Sequence, residues 1–458
     1  MEHSPQNILT YKFLLGLIVG ITITAGSSSL IRYNRKRRRT GEHHHDLSFR
    51  PIEVRTDEIV KGVSGLIGNT PLVRINSLSD ALGIEILGKA EFLNPGGSVK
   101  DRVALKVIDD AESKGLLHPN TGSRIFEGTV GSTGISITTI ARARGYESTI
   151  IMPDDVADEK AKALLALGAQ IEKVRPASIV DKKQFVNLAK QRAKEFGQTD
   201  VLHTLDSSVA SIDTSSSDSS TMVVTAKASE AEVRGTDSSS RDELQTRPRG
   251  FFADQFENLS NFQAHYDGTG PEIWRQTNGN VSAFVSGAGT GGTIAGTGKF
   301  LKDMDDKILV VLSDPEGSGL YNKVKFGVMY DDREREGTKR RHQVDTVVEG
   351  IGINRLTNNF ERAIDILDEA FRISDAEAVA MSRHLVLNDG LFLGSSSACN
   401  LFACVKLAKK MGWSNGERIV TILCDSGNRH YSKFWNDEYL QKAGIPIDTK
   451  IVQDALRG

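Results

Sequence analysis

The chain has 458 residues, with 57 Lys and Arg against 59 Asp and Glu and a formal net charge of -2. That length exceeds what one hydrophobic core serves, so two domains with room for extra segments are expected, and the balanced charge excludes a global field that would recruit nucleic acid. Three cysteines, Cys399, Cys404 and Cys424, are too few and too badly spaced for a metal site or a disulfide framework, and they read as reduced thiols of a chain facing the cytosol.

After a short tail at 1–12, residues 13–31 carry no charge. As a helix, roughly 19 residues rise about 28 Å against a hydrocarbon core of ~30 Å. Arg32, Arg35, Lys36, Arg37, Arg38 and Arg39 follow directly. That cluster stays cytosolic by the positive-inside tendency, so the short N-terminus crosses. A cleaved signal peptide carries its charge before the apolar stretch, and a transit peptide interleaves arginines through it. The expectation is therefore a transmembrane anchor at 13–31 and a basic linker at 32–59. Its modest hydrophobicity and basic flank point to the mitochondrial outer membrane, with the endoplasmic reticulum as the competitor.

From about Val60 short apolar strands alternate with amphipathic helices joined by Gly-rich turns, the pattern of parallel α/β sheets. Strands are predicted at 85–91, 124–127 and 148–152, and helices at 99–114, 134–144 and 159–167. The pattern then breaks, because 207–250 is rich in Ser, Thr, Asp, Glu and Arg and poor in large apolar residues. Such a stretch buries too little surface to offset its ordering entropy, so a disordered insertion is expected there. The βα pattern resumes at Phe251 and runs to about Tyr439. The charged stretch 331–341 predicts a solvated surface loop.

Four motifs lie on this frame. Asn94-Pro95-Gly96-Gly97-Ser98-Val99-Lys100-Asp101-Arg102 delivers one lysine to a helix start. Desolvation and the positive end of a helix favour a neutral amine, which forms Schiff bases, although a Lys-Asp-Arg triplet also suits a solvated first turn. Glu127-Gly128-Thr129-Val130-Gly131-Ser132-Thr133-Gly134 sits between strand and helix, suiting a carboxylate or serving only as a turn capped by Ser132 or Thr133. Gly287-Ala288-Gly289-Thr290-Gly291-Gly292-Thr293 follows the apolar strand 281–285 and precedes a helix predicted from Ile294. Its glycines let successive N–H groups face one anion, which makes a phosphate cradle lacking the Gly-Lys of a nucleotide loop. Gly394-Ser395-Ser396-Ser397 precedes the helix predicted at 398–410, and any of its serines could be a cap.

These motifs, with 65–74, 268–274 and 349–352, occur in the order found in cysteine synthases, so residues 60–439 outside the Ser-rich insertion resemble the cysteine synthase and cystathionine β-synthase family. The resemblance is strongest to the fungal, membrane-anchored cysteine synthase 2 group. It implies pyridoxal 5'-phosphate as cofactor and a tryptophan-synthase-β-like fold of two αβα sandwich domains with the cofactor in the cleft. It further implies that Lys100 bonds the cofactor and shuttles the α-proton, and that Gly289, Thr290, Gly291, Gly292 and Thr293 hold the phosphate. Ser396 would bond the pyridine nitrogen, and Ser132 stands at a further cofactor-contacting position. Thr129, Val130, Gly131, Thr133 and Gln255 match substrate-carboxylate positions. Two residues depart from the family pattern: Val130 replaces a serine and Ser132 an asparagine.

On that resemblance the large domain is expected at 60–93 and 251–458 and the small one at 94–206. The expected activity is β-replacement, in which O-acetyl-L-serine loses its β-substituent and sulfide takes its place to give L-cysteine. A homodimer is the family's habit. Rival readings are serine or threonine deamination or cystathionine formation on the same fold, and a membrane-tethered pseudoenzyme impaired through Val130 and Ser132. No metal is expected.

Overall fold

A computed structural model describes residues 59–177, 181–196, 224–226, 247–331 and 346–457 of the protein, with backbone alone at 224–226. The expected anchor at 13–31 and its basic linker lie outside the described residues, apart from position 59. So does the charged loop, except Asp331, which is buried and paired with Arg372. Among the described residues no helix is long and apolar enough to cross a membrane.

Among the described residues eleven strands form two sheets. In chain order they are β1 (Leu72–Arg74), β2 (Glu85–Ala90), β3 (Arg124–Gly128), β4 (Glu147–Pro153), β5 (Gln170–Val174), β6 (Val224–Ala226), β7 (Arg249–Phe252), β8 (Ala283–Gly287), β9 (Leu309–Pro315), β10 (Glu369–Ile373) and β11 (Arg418–Leu423). One sheet runs β1-β2-β11-β8-β9-β10 and the other β5-β4-β3-β7-β6. Within each sheet every pairing is parallel except at one edge, where β1 and β6 run antiparallel to their neighbours.

Parallel strands buried on both faces need near-continuous apolar runs. Arg418-Ile419-Val420-Thr421-Ile422-Leu423 supplies one: Ile419 and Leu423 pack on one face of the larger sheet, Val420 and Ile422 on the other. The first face is covered by helices Asp375–Asp389 and Ser395–Met411, the second by helix Gly292–Met304. In the smaller sheet Phe251 and Phe252 point to opposite faces, toward helices Lys100–Ser113 and Phe185–Phe196 respectively. Each fully buried Ile, Leu, Val or Phe contributes roughly 1.5–3 kcal/mol, so these layers carry the stability of both sandwiches.

Two expectations need correction. The stretch 207–250 is not structureless throughout: Val224–Ala226 pairs with Arg249–Phe252 as an edge strand. Val223, Val224 and Thr225 are consecutive β-branched residues, and an edge strand needs only backbone partners. For the same reason Phe251, placed at the start of the large domain, belongs to the smaller sheet through its pairing with Ile125.

The parallel strands aim their C-terminal ends at common edges, where open α/β sheets bind ligands. β3 ends at Gly128 and β8 at Gly287, each at one of the loops singled out in the sequence, and β11 ends at Leu423, before the loop that carries Cys424 and Asp425.

Candidate functional site

Lys100 is the first residue of α1 (Lys100–Ser113), at the end of a turn fixed on all sides. Gly97 has φ +76, and a side chain there would press on the Arg429 guanidinium. Val99 N–H donates to the Cys424 carbonyl at 3.0 Å, and Ser98 bridges to Asp425. Asp101 accepts from Gly96 N–H at 2.5 Å and from the Ser136 hydroxyl. Behind the helix, buried Arg102 spans Glu91 and Glu272, each at 2.7 Å, while Lys89 meets Glu272 at 2.6 Å. Burial pushes the Lys100 amine below its ordinary range, and neighbouring Cys424 and Asp425 push part of the way back.

The cradle opens α3 (Gly292–Met304), numbered after α2 (Ser132–Ala143). Gly291 has φ +90, and a Cβ there would sit 2.5 Å from the Phe360 backbone; one on Gly289 would sit 2.5 Å from the Gly350 carbonyl. These positions need glycine. Thr290 Oγ1 accepts from Asn261 Nδ2 at 2.9 Å. Thr293 Oγ1 lies 3.1 Å from His265 Nε2, and His265 Nδ1 lies 2.9 Å from Thr269 Oγ1. Burial holds His265 far below its usual range, so it is neutral, and the tautomer that accepts from Thr269 at Nδ1 carries an Nε2–H directed at Thr293 Oγ1. Both threonine hydroxyls thus accept from buried donors and keep their own hydrogens for an anion. With the free N–H groups of the first α3 turn, this donor set fits a phosphate.

The Thr129–Thr133 loop opens α2. Thr133 Oγ1 donates to Gln255 Oε1 at 2.5 Å, and Gln255 Nε2 donates to the Gly128 carbonyl at 3.3 Å. Gly131 has φ +144, and its Cβ would strike the Lys160 side chain at 2.5 Å. The cap reading fails here: the cap position is Gly131, neither Ser132 nor Thr133 makes a cap bond, and Ser132 Oγ accepts from Arg429 at 3.3 Å. It fails again at α4 (Ser395–Met411), capped by Gly394 without a side-chain bond. There two of the three serines tie neighbouring loops. Ser395 accepts from Glu349 N–H and Ser397 from Cys424 N–H, while Ser396 lines the cavity.

These loops enclose a cavity of ≈ 310 Å³. Lys100, Thr129, Val130, Ser132, Thr133, Gln255, Gly289, Thr290, Gly291, Thr293 and Ser396 all line it; Gly131 and Gly292 belong to the same loops without lining it. Cavity size, the phosphate donors, a desolvated lysine and a neutral serine hydroxyl together suit pyridoxal phosphate. Among the described residues no cluster of acids, His and Cys suits a metal ion, and the cysteines are free.

Several site residues carry no sequence signal of their own. Asn261 and His265 belong to no motif, lying among other polar residues of a helix that continues as a π-turn over His265–Thr269, and Thr357 holds the Thr290 carbonyl at 2.7 Å while capping the next helix. Asp425, His430, Glu349 and Lys160, from three distant segments, line one wall of the cavity.

The profile of the family described as pyridoxal-phosphate dependent enzyme matches residues 63–425. Cysteine synthase 2 of Schizosaccharomyces pombe is 51% identical over 389 residues, covering 85% of this chain and 87% of its own. Cysteine synthase 2 of Neurospora crassa is 46% identical over 485 residues, covering 98% of this chain and 96% of its own. The crystal structure of O-ureido-L-serine synthase is 26% identical, with a TM-score of 0.62, covering 83% of this chain and 96% of that one.

Proposed function

The chain belongs to the pyridoxal-phosphate dependent enzymes, and from that membership we propose that it is a cysteine synthase, making L-cysteine from O-acetyl-L-serine and sulfide. One observation carries the reading: a phosphate cradle, a desolvated Lys100, the Ser396 hydroxyl and a carboxylate loop face one cavity. When bound, pyridoxal phosphate supplies an electron sink for the charge left at Cα. Lys100 removes the α-proton and later returns it. A neutral hydroxyl at Ser396 leaves the ring nitrogen unprotonated, which favours loss of a β-substituent over transamination. Gln255, Thr129 and Thr133 orient the substrate carboxylate.

Acetate release tests this reading. Purified protein with O-acetylserine should release acetate, add sulfide to give cysteine, and show a shift in the cofactor's visible absorbance on substrate addition. Pyruvate as sole product, or no response with cofactor bound, would overturn it.

The membrane anchor at 13–31 and the outer mitochondrial membrane rest on the apolar stretch and its basic flank, within the part of the chain that the Neurospora crassa relative spans. A homodimer rests on the family resemblance and is tested by sedimentation of the detergent-solubilised protein.

A further inference from the structure

Asp425 stands out among the cavity-lining residues. It is only 6% exposed, and its Oδ1 has no hydrogen-bond partner. Buried carboxylate oxygens ordinarily hold a donor. Its other oxygen meets His430 Nε2 at 3.1 Å, and His430 Nδ1 lies 3.6 Å from Glu349 Oε2, which is ion-paired to Lys160. Gly394 leaves room for this array, since a side chain there would collide with both Asp425 and His430. The Ser98–Asp425 bridge and the Val99–Cys424 hydrogen bond bring Asp425 alongside the chain entering Lys100. The bridge sets Asp425 opposite Ser98, two residues before Lys100, with about 4.5–5.5 Å between paired Cα atoms, and the Lys100 amine feels the Asp425 charge.

We propose that Asp425 is the counter-ion of Lys100: its unpartnered oxygen accepts from the ammonium that forms when the lysine takes the substrate's α-proton. The inference rests on the function proposed above. In the step, the Cα–H bond breaks and an Nζ–H bond forms, Asp425 stays ionised, and the same proton returns to Cα of the product. Asp425 acts through Lys100 and is a positioning residue. Burial alone would raise the Asp425 carboxyl, but the adjacent His430, with Arg429 and Lys160, outweighs it and holds the group ionised. His430, Arg429, Lys160 and Lys433 face the array from the cationic side and Glu349 from the anionic side.

The test reads Lys100 without needing a leaving group. Solvent deuterium incorporation at Cα of L-alanine is followed by NMR across pH in the holoenzyme, with acetate release from O-acetylserine measured in parallel. Removing the carboxylate makes Lys100 less basic, so the midpoint in Asp425→Asn and Asp425→Ser should move to lower pH by roughly one unit. Asp425→Glu should restore part of the shift. A lower rate with an unchanged midpoint, or an upward shift, overturns the proposal. Deuterium exchange that behaves as expected without acetate release overturns the cysteine synthase reading instead. Two substitutions of different size guard against one of them failing to fold.

Discussion

Val130 places two methyl groups on the cavity wall between Thr129 and Thr133, where a serine would offer a donor to a carboxylate. A hydrogen bond to a charged group is worth about 1.5–3 kcal/mol, so Val130→Ser should lower KM for O-acetylserine roughly tenfold or more, read from steady-state kinetics. An unchanged KM would remove the loop from carboxylate binding. His265 poses the complementary case, because it touches no solvent and serves only to hand a hydrogen to Thr293. His265→Leu should weaken retention of pyridoxal phosphate roughly tenfold, measured as an apparent Kd by fluorescence titration. Lys100 and Thr293 were legible from their motifs; His265 and Asn261 were not, because a lone polar residue on a helix becomes informative only when its partner is known.

At the scale of elements, strand positions followed from the apolar runs, and the helices expected from 99 and 159 begin at Lys100 and Asp158, but three other helix starts came earlier than expected. Helices predicted from 134, 294 and 398 begin at Ser132, Gly292 and Ser395. The discrepancy has one cause: glycine and hydroxyl residues read as loop, yet each of these loops coils into the first helical turn. That turn holds the unpaired N–H groups a ligand needs. Gly291→Ala forces an L side chain to φ +90 against the Phe360 backbone. It should cost about 1–3 kcal/mol and lower cofactor occupancy, checked by denaturation with and without pyridoxal phosphate. Thr357→Ala removes both a helix cap and the tether of Thr290, and about 1 kcal/mol of stability should go with it.

Across the whole molecule, buried charge decides the pH response. Arg102 joins Glu91 near β2 to Glu272, so Arg102→Met leaves buried Glu91 without a cation and Glu272 with Lys89 alone, and should destabilise the fold by about 3–5 kcal/mol in chemical denaturation. Burial raises Asp101 to about 6, Asp254 to about 6 and Asp314 to about 7. Carboxyls raised on folding contribute stability that is complete below their unfolded pKa and is lost as pH rises through the folded values. Glu272 runs the other way: burial would raise it, Arg102 and Lys89 outweigh that and depress it, and its contribution is lost as pH falls through the unfolded range. On these groups the thermal midpoint should therefore peak near about pH 4 and decline toward about pH 7 in melts at fixed cofactor. Removing residues 1–39 should release an active enzyme from membranes; a truncated protein that stays bound would contradict the single anchor.

The sequence by itself determined the α/β class and picked out the Lys100, Thr129 and Gly289 loops that line the cavity, because each depends on residues adjacent in the chain: an apolar run, a glycine turn, a helix start. Only the tertiary structure decided which surfaces meet. It took Phe251 into the smaller sheet, turned two apparent cap serines, Ser395 and Ser397, into ties between loops, and brought Asp425, His430, Glu349 and Lys160 onto one wall with Lys100. Those pairings join residues far apart in sequence, and no local pattern encodes the packing that unites them.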